Sequence, residues 1–325
     1  MPINIQKLFS NIEDEIGHLE LGSTPNSLYD PLYYIMSLGG KRIRPLLTLL
    51  SYSLYRDNFQ HILKPAIGVE VFHNFTLMHD DIMDNAPLRR GKTTVHEKWN
   101  PNIAILSGDV MLIKAYELLL HSEEASVKHV LKSFNTCATE VCEGQQLDMD
   151  FEKRDDVSEE EYIEMIRLKT AVLLGFSLEL GAILAGAPTE DCEALRDFGI
   201  NIGIGFQLKD DLLDVYADKA NFGKQVGGDI LANKKTFLLL DALKRADGLA
   251  KKELVHWLSV TDYEPDAKVN AVKHIYNELN VKQKCEELMT MYFDIGFTQL
   301  NMISASKPRV VVLKKFTTDL MDRVK

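Results

Sequence analysis

Cysteine is scarce in this chain. The four among its 325 residues, Cys137, Cys142, Cys192 and Cys285, show neither metal-ligand spacing nor a dense disulfide pattern. A reducing, cytoplasmic setting is therefore the expectation. Long apolar runs are missing too: no stretch reaches the roughly 18 residues that a membrane-crossing helix needs. The most apolar one, Ala171 to Ala187, contains Glu179 and reads as a buried core helix. The opening MPINIQKLFSNIEDEIG has no apolar centre, so no signal peptide is expected. Basic residues are outnumbered, 37 Lys and Arg against 48 Asp and Glu, for a net charge of −11. That balance excludes general binding to nucleic acid or to an anionic membrane, and means that an anionic substrate must be attracted locally. Alternating strand patterns and hairpin turns between β-branched runs are absent.

What is present is helical periodicity. Leu32, Ile35, Met36 and Leu38 recur at helix spacing. Ser158 followed by Glu161 reads as an N-cap with a capping box, and Ile163, Met165, Ile166 and Leu168 follow it. Segments 198–214 and 236–246 read the same way. Val310–Leu313 looks strand-like alone, but Phe316, Leu320 and Met321 continue it at helical spacing. With 46% hydrophobic residues to bury, the expectation is an all-α chain, 1–325 forming a single domain of roughly ten or more helices. Segments 85–102, 148–157 and 218–235 read as loops. The third carries Gly223, Gly227 and Gly228 beside Lys224, as a segment that closes over substrate would.

Two clusters share the spacing DDxxD: Asp80, Asp81 and Asp84, then Asp210, Asp211 and Asp214. On a helix the outer two carboxylates of each set stack about one turn, roughly 6 Å, apart. Like charges so placed destabilise a helix. The arrangement makes sense if divalent cations sit there, because Mg²⁺ takes oxygen ligands and is usually shared between one or two carboxylates and substrate phosphates. Two such half-sites facing one cavity would clamp a diphosphate. Two basic groups complete the pattern. Lys41, Arg42 and Arg44 follow the flexible pair Gly39-Gly40, and Arg89, Arg90 and Lys92 follow the first cluster. Arg binds phosphate through two donors and Lys as a point charge, so such groups in an acidic chain are read as anion sites. Arg42 is out of phase with Lys41 and Arg44 and is expected to make a surface or inter-helix pair. His79 reads as structural, His96 as a solvated loop residue, Asp109 as a helix-start cap, and Gln145 and Gln146 as hydrogen-bonding support.

The ordered series GGKRIRP, HDDIMD, LRRG, SGD at 107–109, EGQQLD at 143–148, KT at 169–170, FQLKDD and NKKT at 233–236 resembles the trans-isoprenyl diphosphate synthases, the head-to-tail polyprenyl synthetase family. The likeness runs from about Lys41 to Lys235. It implies a large helical bundle of the isoprenoid synthase type with a central cavity, and a homodimer. It also implies condensation of isopentenyl diphosphate with an allylic diphosphate and Mg²⁺ as cofactor, three ions per active site. By the same resemblance, Asp80, Asp81 and Asp84 and Asp210, Asp211 and Asp214 bind metal. Arg89, Lys169, Lys224 and Lys234 contact the allylic diphosphate. Lys41, Arg44, His73 and Arg90 contact isopentenyl diphosphate, and Thr170 and Gln207 lie beside the reacting carbon.

The growing product would run down the helix that carries the first cluster. Phe75 lies five residues before Asp80, Phe72 eight before it, and the two share a helix face. In the family an aromatic at the position of Phe75 goes with short products. With small Thr76 beside it, the reading is a C15–C20 product, farnesyl or geranylgeranyl diphosphate. A class I terpenoid synthase would ionise the same substrate without the Lys41, Arg44 and Arg90 group. A catalytically silent subunit of a heteromeric synthase would not need both aspartate clusters intact. A structural Ca²⁺ site of EF-hand kind would need alternating acids around a central glycine, which no loop supplies.

Overall fold

The structure, a computed structural model, describes residues 4–217 and 227–322. It opens with α1 (Ile5–Gly17), α2 (Asn26–Ser37), α3 (Ile43–Tyr52) and α4 (Leu63–Met83). Two short strands, β1 (Leu88–Arg89) and β2 (Lys92–Thr93), precede α5 (Val95–Lys98), α6 (Pro101–Leu119) and α7 (Glu124–Phe151). Then come α8 (Glu159–Ile166), a π-helical turn at Arg167–Ala171, α9 (Val172–Ala185) and α10 (Thr189–Tyr216). The remainder is α11 (Gly228–Leu231), α12 (Phe237–Arg245), α13 (Gly248–Ser259), α14 (Pro265–Glu278), α15 (Val281–Met302) and α16 (Lys307–Asp322). The all-α expectation holds.

Local signals account for several boundaries. The Ser158 capping box forms as expected: Ser158 Oγ accepts from Glu161 N at 3.1 Å, and Glu161 Oε2 accepts from Ser158 N at 2.9 Å. Asn100 caps α6, with Pro101 in the first helical position, where a missing N–H costs nothing. Segment 85–102 is therefore not one loop. It holds an antiparallel hairpin pairing Leu88 with Thr93 and Arg89 with Lys92, then α5 and the start of α6. The hairpin turn is Arg90-Gly91, both at positive φ (53° and 72°), as a two-residue turn matching strand twist requires. Its sequence gave no signal because no Asn-Gly or Asp-Gly is present and each strand is two residues long. Asp148 belongs to α7, which continues to the buried Phe151. Asp109 lies inside α6 and starts no helix.

The chain groups into two compact units. One comprises residues up to Cys137, Phe176–Arg196 and Met302–Leu313; the other comprises Ala138–Gly175, Asp197–Asn301 and the residues from Lys314 on. Each crossing between units lies within a helix. In the first, α4 buries Ala66, Ile67, Val69, Val71 and Phe72. Gly68 lets α4 approach α6, since a Cβ there would stand 3.2 Å from Ala115 O. In the second, Leu208 and Leu212 of α10 pack in a core with Tyr162, Met165, Leu238 and Ile275. Buried aliphatic side chains of this size contribute about 1.5–3 kcal/mol each. The face of α10 carrying Asp210 and Asp214 is thereby turned away from that core. Glu159–Ala185, the one run among the described residues long and apolar enough to cross a membrane, has 89% of its most apolar window buried inside the protein. The core-helix reading of Ala171–Ala187 fits that.

Candidate active site

Both aspartate clusters sit at the C-terminal ends of long helices. Asp80 and Asp81 lie in the last turn of α4 and Asp84 is its C-cap. Asp210, Asp211 and Asp214 lie in the last two turns of α10. A helix C-terminus carries partial negative charge, so a carboxylate there destabilises by about 0.3–1 kcal/mol. Six carboxylates against two such ends point to function rather than stability.

Within the first cluster the roles divide. Asp81 is 1% exposed and is gripped by Arg89 of β1. Arg89 Nε donates to Asp81 Oδ1 at 2.9 Å and Oδ2 at 2.8 Å, and Arg89 Nη2 lies 3.3 Å from Asp80 Oδ2. Burial raises the Asp81 pKa against the opposing pull of Arg89. Desolvation lowers that of Arg89, but Asp81, Asp80 and Asp84 outweigh it. Asp80 is half-buried and Asp84 is exposed. The hairpin that sequence reading took for loop is thus the device that delivers Arg89 to the cluster.

The same unit assembles a cationic pocket. Gly39 (φ 76°) closes α2 in the left-handed form, as expected of a glycine after a helix. Arg90 reaches back and donates to Gly39 O. A Cβ on Gly40 (φ 150°) would come within 3.0 Å of the Arg90 guanidinium. Arg44 Nε is buried with no hydrogen-bond partner among the described residues. Burial, then Arg44, Arg90 and Arg89, drive the His73 pKa well down, so its imidazole is neutral. Burial also lowers the pKa values of Arg44 and Arg90, each worsened by the other or by a further arginine. Under-compensated guanidiniums beside a neutral donor-acceptor ring have the chemistry to receive an anion. Lys41 is exposed at its edge in sequence.

Arg42 does something else. It is 3% exposed, at a left-handed backbone position (φ 45°), and bonds Glu13 Oε1 and Glu70 Oε1, each at 2.9 Å, and Met36 O at 3.0 Å. The expected pair is therefore inter-helix and buried, tying the loop before α3 to α1 and α4. Removing one partner of a buried pair strands the other charge, at about 3–5 kcal/mol. Arg42→Met should lower the thermal midpoint strongly in calorimetry, whereas Lys41→Met, at an exposed position, should leave it unchanged.

In the second unit, Asp211 is 3% exposed, accepts from Tyr162 OH and lies 3.5 Å from Gln207 Nε2. Burial pushes its pKa up to about 7, with Tyr162 pulling the other way. Asp210 is exposed and Asp214 half-buried. Asp214 Oδ2 accepts from Asp229 N at 3.0 Å and Asp214 O from Gly227 N at 2.7 Å. Lys169 and Thr170 occupy the π-helical turn, a local widening common at functional sites. Gly144 of α7 makes room for it: a Cβ there would stand 2.1 Å from Lys169 N. Lys169 Nζ donates to Asp148 Oδ2 at 2.6 Å. Desolvation lowers the Lys234 pKa, but Asp229, Asp148 and Asp211 more than offset it.

Sequence reading thus missed Asp148, Asp229 and Tyr162 as partners of the named residues. Asp148 stood inside the quoted EGQQLD motif, but its pairing with Lys169 spans two helices and leaves no local trace. Gln146 is exposed and donates to Asp150 at 2.9 Å, while Gln145 Nε2 is buried without a partner among the described residues. His79 Nε2 lies 3.2 Å from Ile105 O and its ring lies against Gly108, a structural placement. His96 is corrected: it is 7% exposed on α5, buried rather than solvated. Lys224 and Gly223 lie outside the described residues.

Phe72 and Phe75, the residues expected to limit chain length, lie in an aromatic stack. The Phe72 and Phe75 ring centres are 5.6 Å apart, and Phe72 meets Phe134 of α7 edge-on at 5.0 Å. Phe134 also packs against Tyr116 at 4.9 Å and Phe176 of α9 at 5.5 Å. Thr76 turns its hydroxyl back to His73 O at 2.8 Å. Phe72 therefore packs into an aromatic cluster contributed by α6, α7 and α9.

Residues 25–279 match the sequence profile of the family described as Polyprenyl synthetase. The chain belongs to the polyprenyl synthetase family. As such it is a trans-prenyltransferase that elongates prenyl chains head to tail. It is 43% identical over 314 residues, 95% of this chain and 94% of the relative, to the geranylgeranyl diphosphate synthase of Methanosarcina mazei. A crystal structure of a geranylgeranyl pyrophosphate synthase superposes with a TM-score of 0.94 at 43% identity, covering 99% of each chain. The polyprenyl synthase of Caulobacter crescentus, solved with calcium and isoprenyl diphosphate, superposes at 0.83 with 27% identity, over 98% of this chain and 96% of that one.

Polyprenyl synthetases bind diphosphate through divalent metal. The donor set here fits a hard ion: every candidate ligand is a carboxylate oxygen. Among the described residues no three acidic, His or Cys side chains already converge as a metal cage. Mg²⁺ shared with phosphate oxygens and water needs only one or two carboxylates from each cluster.

Proposed function

We propose that the protein extends an allylic primer with isopentenyl diphosphate to a C20 product, geranylgeranyl diphosphate, using three Mg²⁺ ions. Asp80 and Asp84 from the first cluster and Asp210 from the second hold the metal, which neutralises the diphosphate as its C–O bond ionises. Asp81 keeps Arg89 aimed at that diphosphate, and Asp211 is held by Tyr162 in support of Asp210 and Asp214. Lys169, Lys234 and Lys224 add positive charge to the leaving group. Thr170 and Gln207 offer oxygens to the allylic cation. Lys41, Arg44, His73 and Arg90 hold isopentenyl diphosphate. That pocket contains no aspartate cluster, so the second diphosphate is bound without being ionised. The proton lost after attack leaves with the departing diphosphate, and no dedicated base is required.

The observation that carries this reading is the first unit's arrangement: a carboxylate cluster and a separate guanidinium-imidazole pocket on the helix whose next turns are Phe75 and Phe72. The C20 length draws support from that aromatic floor and from the names of the relatives. A homodimer draws support from Leu106, Ile113 and Leu120, exposed at heptad spacing along α6 and just beyond it. Cytoplasmic placement fits four cysteines that form no disulfide.

The test is a product assay. Purified protein with Mg²⁺ and isopentenyl diphosphate is given dimethylallyl, geranyl or farnesyl diphosphate, and products are sized by mass spectrometry. A C20 diphosphate that requires Mg²⁺ is the expected result. A C15 end product, or one of C25 and above, keeps the chemistry and overturns the length. Pyrophosphate release without elongation overturns the isopentenyl site and points to a terpenoid synthase.

A further inference from the structure

Lysine is almost never fully buried unless paired, because taking an ammonium out of water costs several kcal/mol. Lys268, in the first turn of α14, is 1% exposed. It makes no salt bridge to a carboxylate among the described residues. Its ammonium instead donates to the neutral Asn233 Oδ1 at 2.7 Å and lies 4.5 Å from the centre of the Tyr263 ring.

Asn233 is the residue that turns the chain into Lys234. Its backbone is left-handed (φ 52°), a conformation Asn tolerates better than most residues. Asn233 N donates to Ile230 O at 3.2 Å and Lys234 N to Asp229 O at 2.9 Å. These two bonds are the Schellman closure of α11, with Asn233 as its left-handed residue and Lys234 immediately after it. The direction in which Lys234 leaves therefore depends on Asn233 holding its conformation. The side chain is clamped at both ends. Lys268 fills the carbonyl end, and Asn233 Nδ2 donates to Leu258 O at 3.0 Å. An ammonium is donor only, so it fixes which end of the amide faces it.

The neighbours of Lys268 support the same segment. A Cβ on Gly227 (φ 85°) would come within 2.7 Å of Val269, and Tyr263 OH donates to Leu231 O at 3.3 Å. At its other edge the segment is tied to the second cluster through Asp214 and Asp229. A buried charge is thus placed directly behind the turn that presents Lys234.

We propose that Lys268 is a positioning residue for substrate binding: through Asn233 it holds Lys234 in place for the allylic diphosphate. This rests on the assignment of Lys234 to that diphosphate. A neutral side chain of similar length would fill the volume without the desolvation cost, but would release the amide.

The test compares Lys268→Met, Asn233→Gly, Lys234→Ala and the pairwise doubles in the full-length protein with Mg²⁺. KM and kcat are measured for geranyl diphosphate and for isopentenyl diphosphate, with melting recorded alongside. Lys268→Met should raise KM for geranyl diphosphate about tenfold, the usual scale for a group supporting a binding residue, with KM for isopentenyl diphosphate unchanged. Asn233→Gly keeps the left-handed turn and removes the clamp, so it should show the same selective defect, and serves if Lys268→Met does not fold. In the Lys234→Ala background Lys268→Met should add nothing further, because coupled residues are non-additive. A defect in Lys234→Ala but none in Lys268→Met or Asn233→Gly overturns the proposal alone. So does additivity, or an equal rise in KM for both substrates. An unaltered geranyl diphosphate KM in Lys234→Ala removes Lys234 from the substrate, and the proposal with it.

Discussion

Asp80→Ala and Asp210→Ala should each cut turnover by about 10³-fold, the scale seen when a preorganised group facing developing charge is removed. Neither should unfold the protein. Asp80 lies in the last turn of its helix, where removal relieves about 0.3–1 kcal/mol against the loss of its 3.3 Å contact with Arg89, and Asp210 is exposed. Midpoints measured without metal should therefore stay nearly level. Asp81→Ala should behave in the opposite way. That carboxylate is buried and fully engaged with Arg89, so its loss strands a guanidinium and should cost about 3–5 kcal/mol. Steady-state kinetics and calorimetry on the three variants separate the roles. Near-normal turnover in Asp80→Ala or Asp210→Ala would sink the metal assignment. An Asp81→Ala variant as stable as the parent would show that Arg89 is not held as described.

Phe75→Ala should shift the product upward in length, from C20 to C25 or beyond. Phe75 is only half-buried, so its ring can be removed with modest loss of packing. The shift should be bounded. Behind Phe75 stands Phe72, edge-on to Phe134, which is braced in turn by Tyr116 and Phe176. Aromatic pairs of this geometry add about 0.5–1.5 kcal/mol beyond their burial. The double variant Phe72→Ala, Phe75→Ala should lengthen the product again, with a stability loss of about 3–5 kcal/mol from the fully buried Phe72. Mass spectrometry of products with farnesyl diphosphate as primer reads both. An unchanged product from Phe75→Ala would mean the chain does not pass that ring.

Much of this was legible in the chain itself. Helical spacing announced α2, α10, α12 and α16, and Ser158 marked the start of α8, because each signal is local: a period or a cap a few residues long. The hairpin at Arg90-Gly91 and the helical continuation through Asp148 were not legible. The first has strands too short to show alternation, and the second is decided by burial of Phe151. Lys224 lies outside the described residues.

For the site, the residue types and spacing determined that two carboxylate clusters and two basic groups exist, and the ordered motifs named the chemistry. What only tertiary structure decided is how each group is used. Asp81 and Asp211 are buried against Arg89 and Tyr162, whereas Asp84 and Asp210 remain exposed. Arg42 is a buried strut beside exposed Lys41. Phe134 packs edge-on against Phe72 and also meets Phe176, and Lys268 donates to Asn233, next to Lys234. The physical reason is common to all of them. A carboxylate or cation has the same local signature whether it faces solvent or a partner from a distant helix, and burial and partner choice come from packing between segments far apart in sequence.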